Sequence, residues 1–127
     1  MAQAHLLSKG RYRARLAEDE ADLAAAQRLR TSAFRTDTPD RDDYDALCAH
    51  VLVEDMREGG RLVCCFRMLT IQGGAEIQRS YSAQFYDLAA LETFQGPMVE
   101  MGRFCIHPDY TDPDILRVAW GAMTTYV

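Results

Sequence analysis

Eleven residues, RLVCCFRMLTI (61–71), most tightly limit what this chain can fold into. Apolar side chains occupy both odd and even positions, so a strand built from them has two faces to hide from water. Such a strand belongs inside a sheet with a covering layer on each side. Arg67 interrupts the face made by Val63, Cys65 and Leu69 and so points into covered space. A guanidinium there has to meet an anion or reach outward to water.

Two helical patterns can supply the layers. Residues 18–34 carry acids at the start and arginines towards the end, which suits the helix dipole. At helical spacing Leu23, Ala26, Ala33 and Phe34 share a stripe, with Arg30 in its middle. Arg30 therefore faces the same choice as Arg67, an anion or solvent. Residues 112–127 form the second pattern, with Ile115, Val118, Ala119, Ala122 and Met123 facing inward. GRYRARLA (10–17) alternates as a half-exposed strand, and VLVED (51–55) and residues 98–106 read as two more. The aspartate-rich RTDTPDRDDYD (35–45) predicts a loop, EGG (58–60) a turn, and residues 85–94 a short helix. The order is β-α-loop-β-β-(α)-β-α. It predicts an α/β (α+β) architecture, with a mixed, mainly antiparallel sheet flanked by helices.

At 127 residues this is one domain, 1–127. Its last residues, TTYV, carry no helix-stop signal, so the expectation is a C-terminally truncated domain without its later strands. A net charge of -5 argues against nucleic acid as a partner. Lys9, Arg11, Arg13, Arg15, Arg28, Arg30 and Arg35 nonetheless make the start basic, a face that could receive an acidic partner. Cys48, Cys64, Cys65 and Cys105 show no CxxC pair and are expected as reduced thiols, the adjacent Cys64 and Cys65 on opposite faces. The lone Cys48-x-His50 lacks a second ligand pair, so no metal is expected. No leader or membrane-spanning run is visible, which predicts a cytoplasmic protein with at most peripheral membrane contact.

VEMGRFCIHPDY (99–110) places Glu100, Gly102 and Arg103 within one strand. In a straight strand Glu100 and Arg103 face opposite sides. A bulge at Gly102 would bring them to one face and free backbone N–H groups able to hold a developing oxyanion. Glu100 could then accept a proton from an attacking amine, and Arg103 could keep it ionised or anchor an acidic substrate. A structural ion pair is the competing reading. His107 reads either as an acid towards a leaving group or as a turn residue before proline.

Several motifs, in order, resemble a known family. R-x-x-x-F (Arg30 to Phe34), D-x-x-D (Asp42 to Asp45), CFRML (65–69) and EMGRF (100–104) are similar to acyl-homoserine-lactone synthases, a branch of the GNAT-type N-acyltransferase fold. GRYRARLA, YDALCAHVLVED (44–55), YSAQFYDLAAL (81–91) and GRFCIHPDY (102–110) more closely resemble the ornithine-lipid-forming N-acyltransferases, often labelled hemolysin-like. The resemblance implies transfer of a fatty 3-hydroxyacyl group from acyl carrier protein to the α-amine of ornithine, giving lyso-ornithine lipid. It implies no tightly bound cofactor. The donor would be an acyl-phosphopantetheine thioester on a carrier protein in preference to acyl-CoA, because HPDYTDPDI (107–115) lacks a Gly-rich phosphate cradle. It further implies Glu100 and Arg103 as catalytic residues, and Arg30, Phe34, Asp42, Asp45, Arg67, Gly102 and His107 as substrate-binding residues. An autoinducer-synthase-like enzyme and a non-catalytic acyl- or carrier-binding domain, with homodimer pairing across an open edge, are the alternatives.

Overall fold

A computed structural model describes residues 4–127. Five antiparallel strands lie in simple sequence order: β1 (His5–Lys9), β2 (Tyr12–Leu16), β3 (Ala49–Asp55), β4 (Arg61–Ile71) and β5 (Met98–Ile106). Helix α1 (Glu20–Phe34) follows β2 and α2 (Pro113–Tyr126) follows β5. The expected mixed α/β architecture is present, and the sheet is antiparallel throughout.

The doubly apolar strand behaves as its pattern requires. Residues Val63–Leu69 of β4 are all buried, with β3 and β5 on either side and one helix over each face. On one face Tyr12, Val51, Val53, Phe66 and Met68 pack against Ile115, Val118, Ala119 and Ala122 of α2. On the other, Leu52, Cys65 and Cys105 pack against Ala26 and Leu29 of α1. Cys64 and Cys65 join opposite clusters, as strand alternation demands. Both helices start on an aspartate cap: Asp19 accepts from the Asp22 N–H at α1, and Asp112 from the Asp114 N–H at α2.

Two expectations need correction. Strand β1 was not anticipated; HLLSK is too short and too polar to stand out, and its signal is the turn that follows it. Lys9 pairs with Tyr12, leaving a two-residue loop whose first residue, Gly10, has φ 59°. Residues 85–94 form no α-helix, only a 3-10 turn at Ala89–Leu91. The segment is too short and too exposed to bury a helical stripe, so packing does not reward helix formation. Of the basic residues at the start, Lys9, Arg28 and Arg35 are exposed, while others are held in ion pairs. Arg11 grips Asp55 with two nitrogens, Arg13 pairs with Glu54, and Arg15 bridges Glu54 and Asp22. Asp55 and Asp22 are held down at about 2, chiefly by hydrogen bonds from Arg11 and Arg15.

Candidate active site

The inward arginine of α1 does not reach for water. Arg30 is 1% exposed and donates through Nε to Asp40 Oδ1 at 2.8 Å and through Nη1 to Asp45 Oδ1 at 2.7 Å. Its Nη2 lies 2.7 Å from Asp40 without being aligned on it. Arg67 meets the same loop from β4: Nη1 bonds Asp42 at 2.6 Å and Asp45 at 2.9 Å, and Nη2 bonds Asp42 at 3.0 Å. Its guanidinium also sits 5.7 Å from the Tyr44 ring centre and 5.4 Å from that of Tyr81. The loop after α1 is therefore folded inward by charge. A chain with so many aspartates stays polar in sequence, yet Asp40 and Asp45 are buried because two arginines await them.

Asp45 is the hinge of this network. It accepts from both arginines, from Gln27 Nε2 at 3.0 Å and from the Asp42 N–H at 3.3 Å. Burial pushes its carboxyl up, but the hydrogen bonds from Arg30 and Gln27 and the positive charge outweigh burial and hold it at about 2. Asp42 moves down for the same balance of reasons, with Arg67 opposing burial. The ring Nε2 of buried His50 lies 2.8 Å from the Asp45 carbonyl oxygen, and burial pushes its titration down, which favours a neutral ring. His50 thus braces the turn at Asp45–Leu47.

The bulge in β5 lies one step beyond its expected place. Gly102 pairs with Arg67 and Cys105 with Cys65, so Arg103 and Phe104 together stand opposite Phe66. The left-handed residue is Arg103 itself, φ 50°, whereas Gly102 keeps an ordinary φ. The consequence for the faces is as anticipated: Glu100 and Arg103 line one cavity. They do not pair with each other. Glu100 Oε1 accepts from the Tyr81 N–H at 2.8 Å and Oε2 from the Ser82 N–H at 3.0 Å. Arg103 instead approaches Asp40 at 3.5 Å and lies 5.4 Å from the Phe34 ring centre, with its buried Nε unpartnered.

The cavity is about 230 Å³ and is framed by Phe34, Tyr44, Arg67, Tyr81, Glu100 and Arg103. Cys48 also borders it, but burial pushes this thiol up to about 11, which keeps it protonated and a poor nucleophile near neutral pH. Of the residues expected at the site, Phe34, Arg67, Glu100, Gly102 and Arg103 line the cavity, while Arg30, Asp42 and Asp45 stand behind it as the ionic network. His107 is elsewhere. Its Nδ1 accepts from the Asp109 N–H at 3.1 Å and its Nε2 lies 3.3 Å from Arg61, in the turn after β5. Asp40, Tyr44 and Tyr81 carry no sequence signal that marks them as site residues, and His50 stands out in sequence only as part of the lone Cys48-x-His50. Asp40 sat in a row of aspartates with nothing to distinguish it, and Tyr81 lies in a loop with no periodicity. Among the described residues no group of three or more His, Cys, Asp or Glu could hold a metal ion, and no helix is long and apolar enough to cross a membrane.

The family profile described as acetyltransferase (GNAT) domain matches residues 11–121. Among curated proteins, an L-ornithine N(alpha)-acyltransferase of Rhodobacter capsulatus is 30% identical, over 91% of this chain and 51% of its own length. Proteins of the same name from Brucella abortus and Agrobacterium fabrum are 28% and 27% identical, each over 92% of this chain and over 48% and 46% of their own lengths. The chain thus spans about half the length of the curated relatives it matches. No solved structure matches it. With a family profile covering residues 11–121, including the arginine strand, the bulge and the cavity they frame, the chain belongs to the acetyltransferase (GNAT) domain family.

Proposed function

We propose that the protein acts as an N-acyltransferase, moving a fatty 3-hydroxyacyl group from acyl carrier protein to the α-amine of ornithine to form lyso-ornithine lipid. The observation that carries this reading is Glu100, a carboxylate pinned by two backbone amides at the wall of a small cavity. Each of its oxygens keeps a second lone pair, and no cation neutralises it within the salt-bridge distance among the described residues. That arrangement suits an ammonium or amine. The cavity of about 230 Å³ has room for an acceptor the size of an amino acid. The names of the relatives support ornithine as that acceptor.

In the proposed reaction the free amine attacks the thioester carbonyl, forming the C–N bond. The amine's proton passes to Glu100, directly or through one water. Backbone N–H groups of the bulge at Arg103 and Phe104, outside the paired register, stabilise the oxygen as it gains charge. Collapse breaks the C–S bond and releases the pantetheine thiol, which takes up a proton. Arg103, which lines the cavity with its side chain about a third exposed, holds the acceptor's carboxylate, while Arg30, Arg67 and the three aspartates fix the wall.

A carrier-protein donor is favoured over CoA by the start of α2. There Asp112 caps the helix and Asp114 occupies its first turn, so carboxylates stand where a diphosphate would need bare amides. The test is to supply 3-hydroxyacyl carrier protein, or the matching acyl-CoA, with ornithine and look for the N-acyl product by mass spectrometry. Product from the carrier thioester, falling about 100-fold or more in Glu100→Gln, is expected. Gln also leaves one of the two amide donors without an acceptor, so a stability loss of about 1 kcal/mol accompanies it. Full activity in Glu100→Gln would remove the base assignment, and product only from CoA would remove the carrier.

A further inference from the structure

Cys65 and Cys105 are direct partners across the β4–β5 ladder, and their sulfurs are 3.5 Å apart. Opposed residues in an antiparallel pair have Cα atoms about 4.5 or 5.5 Å apart, depending on the hydrogen-bonding phase. Both separations fall inside the range a disulfide spans, about 4.4–6.8 Å. The two side chains already point at each other within one apolar cluster, covered by Ala26 and Leu29 of α1. The sulfurs have to close from 3.5 Å to about 2.0 Å for a bond to form. Nothing in the proposed acyl transfer uses either sulfur.

We propose that Cys65 and Cys105 form a built dithiol site that a hydroperoxide converts to a cross-strand disulfide in the folded protein. In the first step the Cys105 thiolate attacks the peroxide, forming an S–O bond as the O–O bond breaks, and an alcohol or water leaves with a proton. The Cys65 thiolate then displaces the sulfenic oxygen as water. Two thiols and one hydroperoxide thus yield one disulfide, one alcohol (water, if the oxidant is hydrogen peroxide) and one water, the peroxide being reduced.

The order of events follows from the environment. The two thiols share one hydrogen bond, and the Arg30 charge favours a thiolate in the pair. Cys105 is the less enclosed of the two, 5% exposed against 1%. Cys64, the sequence neighbour of Cys65, faces the other helix, and burial chiefly, with Cys105 adding to it, pushes it far up, so it takes no part. The location gives the bond a consequence. Cys105 follows the Arg103–Phe104 bulge directly, so the disulfide would clamp the ladder beside the residue that closes the cavity.

The experiment is to treat the folded, reduced protein with hydrogen peroxide, quench free thiols with an alkylating agent, and measure intact mass and peptide linkage. A loss of about 2 Da, one Cys65–Cys105 cross-link and recovery with dithiothreitol are expected. Cys105→Ser and Cys105→Ala, each checked for native circular dichroism, should abolish the cross-link without creating a Cys64 linkage. Oxygen addition at Cys105 without a cross-link, a bond to Cys64 or Cys48, or four unreacted thiols in the native state would each overturn the proposal. Because the readout is covalent mass, failure here leaves the acyl-transfer reading standing, and failure of that reading leaves this one.

Discussion

Replacing Asp45 by Asn tests whether the inward arginines truly depend on the acidic loop. The substitution keeps shape and removes one charge from a network of three arginines and three aspartates. Breaking a buried ion pair by deleting one partner costs about 3–5 kcal/mol. Here the lower end applies, because Arg30 keeps Asp40 and Arg67 keeps Asp42. The depressed titration of Asp45, about 2 against an ordinary value of 3.8, independently argues for a contribution on the order of 2 kcal/mol. With an unfolding entropy of about 2.1 cal/mol/K per residue, a loss of about 3 kcal/mol lowers Tm by roughly 11 °C.

The pH dependence gives a second, independent reading of the same variant. A carboxylate whose folded-state pKa is depressed contributes its stability fully above the unfolded value and loses it as pH falls through the folded value. The parent should therefore weaken between about pH 4 and pH 2, and Asp45→Asn should show a shallower fall there. Calorimetry at pH 7 and urea titrations at several acidic pH values would measure both. A Tm change of less than about 3 °C with an unchanged acid limb would refute the reasoning and make the network a surface-like, screened cluster.

Three further outcomes follow from local geometry. Gly74→Ala should cost at least about 2 kcal/mol in urea unfolding, since a Cβ there would sit 2.0 Å from the Leu91 carbonyl oxygen. Gly102→Ala, whose Cβ would meet nothing nearer than Arg67 Nε at 3.8 Å, should unfold within about 1 kcal/mol of the parent. Arg103→Val should be less stable than Arg103→Gly by about 1–2 kcal/mol, because residue 103 and not 102 holds the left-handed backbone; equal stabilities would contradict the bulge assignment.

The sequence carried more of the scaffold than of the site. RLVCCFRMLTI and the 98–106 strand were legible end to end, because apolar patterning runs through both, glycine pairs bracket the first, and Gly96-Pro97 and Pro108 bracket the second. The α2 face was legible because its apolar stripe is unbroken. Strand β1 escaped because its partner, not its composition, makes it a strand. The bulge was legible in its effect but not in its place. Glycine is the usual residue for a left-handed backbone, and here the arginine beside it takes that conformation, with contacts to Phe34 and Asp40 that lie far away in the chain.

Arg30 and Arg67 show where the division lies. One-dimensional patterning placed each on a buried face, since periods of 3.6 and 2 residues fix orientation relative to neighbours in the same element. It left open what each would meet. Only the packing of α1 across β4 and β5, with the acidic loop folded beneath, decided that they share Asp45, and that Glu100 rests on the amides of Tyr81 and Ser82 and not on Arg103. Local sequence sets which way a side chain points; the choice among distant partners is made by charge, distance and burial together, and those exist only once the chain has closed on itself.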